Sequence, residues 1–115
     1  MSFTCNVSDA ENAKLFKLSG RLMDQAEADD LMATLEKEIG SGQNKILLEL
    51  SELKYMNSTG LNVMINVLTK TRNAGGEAIL VNVSESVKQL FVVTKLDTIF
   101  TIATSTEEAL EKLKD

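Results

Sequence analysis

Three short polar side chains stand in a row at Asn57, Ser58 and Thr59, followed by Gly60 and Leu61. All three are helix-capping types, whose side-chain oxygen accepts a hydrogen bond from a backbone N–H in a helix's first turn, worth about 1 kcal/mol. A helix needs one such cap, so the other two are either plain polar surface or part of a site. Other chemistry is scarce. The chain has no His, which removes the usual general base at neutral pH, the Ser-His and Cys-His nucleophile pairs and most transition-metal sites. A lone cysteine, Cys5, leaves no CxxC redox pair and no thiolate zinc site, and no basic neighbour activates it. Neither GxGxxG nor GxxxxGK followed by Ser or Thr occurs among the six glycines, so the common nucleotide cradles are missing. Carboxylates gather around Glu27 to Glu38 and Glu107 to Asp115, where a solvated helix face explains them. The expectation is a protein that is not an enzyme, with no cofactor and no metal site.

The elements that must position this row follow from hydropathy patterning. At 115 residues, 43% hydrophobic and 25% charged, the chain is near the commonest domain size and too apolar for disorder, so one domain over residues 1–115 is expected. Aromatic residues make up only 4%, so the core must be aliphatic. A net charge of -5 without a Lys/Arg cluster argues against nucleic acid and anionic membranes as partners. No apolar run approaches the roughly 20 residues that cross a bilayer, and Met1 to Thr4 lacks the basic and apolar regions of a signal peptide. Together with the lone cysteine this reads as a soluble, cytoplasmic protein.

Phe3–Val7 reads as a short strand, Ser8, Asp9, Glu11 and Asn12 as a polar turn, and Lys14–Ser19 as the return strand of a hairpin ended by Gly20. Apolar residues at Ala28, Leu31, Met32, Leu35 and Ile39 have helical spacing over Gln25–Ile39, closed by Gly40-Ser41-Gly42. Ile46–Leu50 is a dense apolar run that suits a buried parallel strand. Leu61, Met64, Ile65 and Leu68 then give the stripe of a helix over Ser58–Asn73, stopped by Gly75-Gly76. A strand at Ala78–Val83, a helix capped by Ser84 and running to Val93, a strand at Ile99–Ile102 and a terminal helix opened by the Ser105/Glu108 capping box complete the order β β α β α β α β α. Strands alternating with amphipathic helices predict an α/β fold: a mostly parallel sheet of about four to five strands, with an N-terminal hairpin strand and four helices. The row at residues 57–59 then falls at the carboxyl end of the most buried strand, where open α/β sheets place their function.

The stretch Leu50-Ser51-Glu52-Leu53-Lys54-Tyr55-Met56-Asn57-Ser58-Thr59-Gly60-Leu61 resembles the signature of the STAS domain, the family of bacterial anti-sigma-factor antagonists. There a strand ending in Leu-Ser leads to Asp-Ser-Ser/Thr-Gly-Leu at a helix start. Ser19-Gly20-Arg21-Leu22 resembles the family's strand-ending Gly-x-Leu, Ala74-Gly75-Gly76 its helix-to-strand turn, and Leu96-Asp97-Thr98-Ile99-Phe100 its late segment. The resemblance covers essentially the whole chain. Two positions depart from the pattern: Asn57 stands where the family has Asp, and Met23 looks like a one-residue insertion before Asp24.

The resemblance implies an anti-sigma factor antagonist that binds an anti-sigma factor with serine kinase activity. Phosphorylation of Ser58 would end the binding, a PP2C-type phosphatase would restore it, and Asn57, Thr59, Gly60 and Asp24 would frame the site. Asn caps a helix about as well as Asp, so its effect would fall on recognition by the kinase. The outward stripe Asn62, Asn66, Thr69 and Asn73 is polar but uncharged, a candidate docking face beside Ser58. An alternative is a constitutive STAS interaction module in a signalling assembly that is never phosphorylated. A small-nucleotide-binding or catalytic domain is the third reading, disfavoured by the missing phosphate loop and the absence of His. A monomer is the simplest oligomeric state.

Overall fold

The computed structural model describes residues 3–113. Strands β1 (Thr4–Ala10) and β2 (Ala13–Leu22) form the expected hairpin, antiparallel from Thr4 opposite Ser19 to Ala10 opposite Ala13. The turn is shorter than its polar residues suggest. Ser8 and Asp9 are exposed residues of β1, Asp9 pairs with Lys14 across the hairpin, and only Glu11 and Asn12 make the turn. Helix α1 (Gln25–Gly40), strand β3 (Lys45–Met56), helix α2 (Ser58–Asn73), strand β4 (Glu77–Val81), helix α3 (Glu85–Val93), strand β5 (Thr101–Ala103) and helix α4 (Thr106–Leu113) follow. A 3₁₀ turn at Leu96–Thr98 occupies the start of the segment expected to lead directly into the last strand.

The five strands lie in sequence order, β1-β2-β3-β4-β5, with all pairs after the hairpin parallel. Each crossover steps the same way along the sheet, so α1, α2 and α3 fall on one face. Their Leu31, Leu35, Met64, Val67, Val87 and Phe91 pack there on Phe16, Leu18, Leu48, Leu50 and Leu80. Phe91 stacks on Phe100 with ring centroids 5.3 Å apart, an aromatic contact in a mostly aliphatic core. Among the described residues, helix α4 alone covers the opposite face, where Ala109 and Leu113 bury Leu47, Ile79, Val81 and Ala103. Its start is the expected capping box in modified form: Ser105 Oγ accepts the Glu108 N–H, while the Glu108 carboxylate accepts the N–H of Thr104, one residue before the cap.

Strand β3 is the structural surprise. The apolar alternation stops at Leu50, yet the strand continues for six more residues. Two register shifts against β2 explain this: Lys17 to Ser19 on β2 spans Glu49 to Glu52 on β3, and Gly20 to Arg21 spans Leu53 to Tyr55. Each shift adds one β3 residue, the signature of a β-bulge. Residues facing the helices on β2 keep a spacing of two (Phe16, Leu18, Gly20, Leu22), whereas on β3 they change to a spacing of three at Leu50, Leu53 and Met56. The bulged half of β3 extends beyond β4 and carries the chain to the start of α2.

Candidate functional site

Asn57 is the N-cap of α2, with extended backbone (φ -104, ψ -166). Its Oδ1 accepts the Gly60 N–H at 3.1 Å, and its carbonyl accepts the Leu61 N–H at 2.9 Å. The other end of the same amide, Nδ2, donates to the carbonyl of Met23 at 3.0 Å. The β2–α1 loop is therefore tied to the β3–α2 loop, and Asp24 is brought beside the row. Asp24 is itself the N-cap of α1, its carboxylate accepting the Glu27 N–H at 2.9 Å.

Ser58 occupies the first helical position and is exposed, while Thr59 is half-buried. With Asn57 supplying the cap, the Ser58 hydroxyl is not needed by the helix and is left facing solvent. Gly60 is buried for a steric reason. A Cβ there would lie 2.5 Å from the Leu22 carbonyl oxygen and 2.8 Å from Met56 Cβ, so only glycine lets α2 start this close to β2 and β3.

A groove of about 400 Å³ opens between the start of α2 and α3. Met56, Val87 and Leu90 form its apolar floor, Tyr55 and Val93 its rim, and Asn57, Ser58, Ser86 and Gln89 its polar edge. None of these lining residues is charged, in a chain that is 25% charged. Val93 is 75% exposed and Tyr55 44%, and the Arg21 guanidinium sits 5.4 Å from the Tyr55 ring centroid.

Asn57 and Ser58 of the row thus meet at one rim. Asn62, Asn66, Thr69 and Asn73 are all exposed on α2, as their spacing implies, but they lie outside the groove, and the Thr69 hydroxyl donates to the Ile65 carbonyl. The α3 wall was not foreseen from sequence. Its signal was present in Leu90-Phe91-Val92-Val93, four apolar residues in a row where one buried helix face uses only two. Ser84 also acts differently from expectation: its hydroxyl donates to the Leu53 carbonyl at 3.1 Å instead of capping α3. Among the described residues no group of His, Cys, Asp or Glu could hold a metal ion.

The STAS domain model matches residues 5–109. The chain belongs to the STAS domain family. BtrV of Bordetella bronchiseptica, named as a candidate anti-sigma factor antagonist, is 30% identical over 93 residues, covering 81% of this chain and 80% of that protein. The crystal structure of a candidate anti-sigma factor antagonist from Thermotoga maritima superposes with a TM-score of 0.86 at 25% identity, covering 96% of this chain and 95% of that one. The anti-sigma factor antagonist SpoIIAA shares the fold as well. Its unphosphorylated form gives a TM-score of 0.80 at 20% identity over 95% of each chain. Its phosphorylated form, from Bacillus, gives 0.74 at 18% identity, covering 96% of this chain and all of that one. The mixed five-stranded sheet with four helices is the architecture these STAS structures share. No helix among the described residues is long and apolar enough to cross a membrane.

Proposed function

We propose that this STAS protein is an anti-sigma factor antagonist that docks an anti-sigma factor with serine kinase activity on the surface around Ser58. Phosphorylation of Ser58 ends the docking, and a PP2C-type phosphatase restores it. The observation that carries this reading is the exposed Ser58 hydroxyl at the first turn of α2, on the rim of an uncharged groove. A phosphate adds about -1.5 to -2 charges. The helix terminus tolerates that charge, because its dipole and free N–H groups favour anions, so the domain stays folded. The groove does not tolerate it once covered. Desolvating such a charge at an interface costs several kcal/mol, and about 1.4 kcal/mol is a tenfold loss of affinity.

The partner's footprint covers the groove and extends along the uncharged stripe Asn62 and Asn66 of α2. Sitting in a single domain that acts in the cytoplasm as a monomer, Asn57, Thr59, Gly60 and Asp24 hold the frame around the serine. Support comes from the family membership, and from SpoIIAA, which has the same fold and exists with and without phosphate.

One observation favours a second reading, a constitutive STAS interaction module. Asn57 places an amide and no carboxylate next to Ser58, so a kinase that requires that charge would leave the serine unmodified. Incubation with the serine-kinase anti-sigma factor of the same genome and ATP, followed by intact mass, separates the two. One added phosphate, absent in Ser58→Ala, supports the switch; stable binding with no added phosphate supports the constitutive module.

A further inference from the structure

Glu49 is the one buried carboxylate among the described residues, at 9% exposure in the middle of β3. It lies on the α4 side of the sheet, next to Lys17 on β2 and Val81 on β4. Its two oxygens face two different structures. Oε1 accepts both the Ser51 N–H at 2.9 Å and the Ser51 hydroxyl at 2.8 Å. Oε2 accepts the Asn82 side-chain N–H at 2.7 Å.

Each contact fixes a departure from regular sheet. Ser51 falls inside the first register shift of β3, where it has no partner residue on β2, and Glu49 accepts its N–H. Asn82 ends β4 with φ 55, a left-handed conformation that Asn tolerates better than most residues, and its side chain is anchored on Glu49. From Asn82 the connection runs along the edge of β3 that β4 no longer covers. There Ser84 Oγ donates to the Leu53 carbonyl and Ser86 Oγ to the Lys54 carbonyl at 3.2 Å. The bulged end of β3 delivers Met56 and Ser58 to one wall of the groove, and the β4–α3 connection delivers Val87 and Leu90 to the other.

We infer that Glu49 is the positioning residue of the groove: its carboxylate joins the bulge at Ser51 to the turn at Asn82 and thereby sets the two walls relative to each other. The role of the groove rests on the function proposed above, whereas the joint itself rests on the geometry alone. Glu49 reaches none of the groove-lining residues, so it acts through Ser51 and Asn82.

The test uses a pair of substitutions that preserve shape. Asn82→Asp sets two carboxylates against each other where one hydrogen bond stood. Adding Glu49→Gln restores every contact, the one to position 82 in reversed polarity: the new amide nitrogen at position 49 donates to the new carboxylate at position 82, while the amide oxygen still accepts from Ser51. Backbone amide shifts at neutral pH read the groove without any partner. N82D is expected to move the amides of Met56 to Gly60 and of Val87 to Leu90 together, and E49Q/N82D to return both sets. With the serine-kinase anti-sigma factor as probe, folded N82D binds at least tenfold more weakly, and the double variant recovers most of that loss. Should N82D fail to fold, Asn82→Gly removes the same bond while permitting the positive φ, and the same amides are read. Shifts confined to Glu49, Ser51 and position 82, with both walls unmoved, overturn the inference. If the probe binds none of the proteins, including the parent, the proposed function fails while the amide readout still decides the role of Glu49.

Discussion

The side-chain amide of Asn57 donates to the Met23 carbonyl at 3.0 Å while its oxygen caps the Gly60 N–H at 3.1 Å. Only a side chain with both a donor and an acceptor makes this pair of bonds. Asn57 and Met23, the two positions whose sequence reads as departing from the STAS pattern, meet in this one contact. The β2–α1 loop presents the Met23 carbonyl to the helix start, and the Asn57 amide satisfies it.

Asn57→Asp, which installs the residue that the STAS resemblance puts at this position, is therefore expected to destabilise the protein. The cap to Gly60 survives and the helix dipole favours the charge by some tenths of a kcal/mol. Against this, the bond to Met23 is lost and a carboxylate faces a carbonyl oxygen, costing about 1–2 kcal/mol. Urea unfolding measures the balance, and amide exchange of the β2–α1 loop locates it. A variant as stable as the parent with unchanged exchange at Asp24 would contradict the bridging role.

Gly60→Ala is expected to cost about 1–3 kcal/mol through overpacking, even though alanine is the better helix former by about 1 kcal/mol. The added methyl would meet the Leu22 carbonyl and Met56 Cβ, both inside normal contact distance. Thermal unfolding should show a drop of several degrees. An unchanged midpoint would mean that α2 can back away from β2 without loss.

Glu49 gives the protein a defined acid sensitivity. Burial alone would raise its pKa, but the hydrogen bonds from Asn82 and Ser51, with the charge of Lys17 nearby, outweigh burial and hold it below the ordinary glutamate value. A carboxyl with a depressed native pKa is deprotonated in the folded state while the unfolded chain still binds a proton. Its contribution is therefore complete above the unfolded value of about 4.3 and disappears as pH falls through the native one. The stability gap between the parent and Glu49→Ala, read from urea midpoints, should shrink as pH drops below about 4. A gap that is independent of pH would show that the carboxylate charge contributes nothing.

Cys5 should be unreactive. Burial pushes its thiol from 9.0 up to about 11, so its thiolate fraction at pH 8 is lower by roughly a hundredfold, and alkylation slows accordingly. Iodoacetamide labelling followed by mass measures it. Labelling of the native protein at the rate of the unfolded chain would contradict the burial of this thiol behind β1.

If the proposed docking holds, the groove and the α2 stripe should make separable contributions to it. Val93→Glu alters a side chain that is 75% exposed, so stability should stay within about 0.5 kcal/mol while affinity for the anti-sigma factor falls at least tenfold. Asn66→Arg, on the exposed stripe, should also weaken binding at unchanged stability. Full affinity in Asn66→Arg would confine the footprint to the groove, and full affinity in Val93→Glu would remove the groove from it.

Helix α2 was legible in the sequence to its first and last residue, because its cap, its apolar stripe and its terminal glycines agree. Strand β3 was legible only to Leu50. Beyond it two bulges change the spacing of inward residues from two to three, and that pattern follows from the pairing with β2, which no local window contains. β4 was read two residues too long, because Val83 continues the apolar run while Asn82 has already turned left-handed. The serine row was visible from residue types alone. The groove beside it was not, since its walls come from segments about 30 residues apart that are brought together through Glu49, Ser84 and Ser86. The Asn57 bridge was likewise hidden, because its partner is a backbone carbonyl 34 residues earlier.

The central claim is that Ser58 is a phosphate-accepting switch on a protein-docking surface. It is tested most directly by the intact mass of the parent and of Ser58→Ala after incubation with the serine-kinase anti-sigma factor and ATP, with binding measured on the same samples. The account predicts one phosphate on the parent, none on Ser58→Ala, and at least a hundredfold weaker binding by the phosphorylated protein. A phosphate retained in Ser58→Ala, or a phosphorylated parent that binds as tightly as the unmodified one, would contradict it.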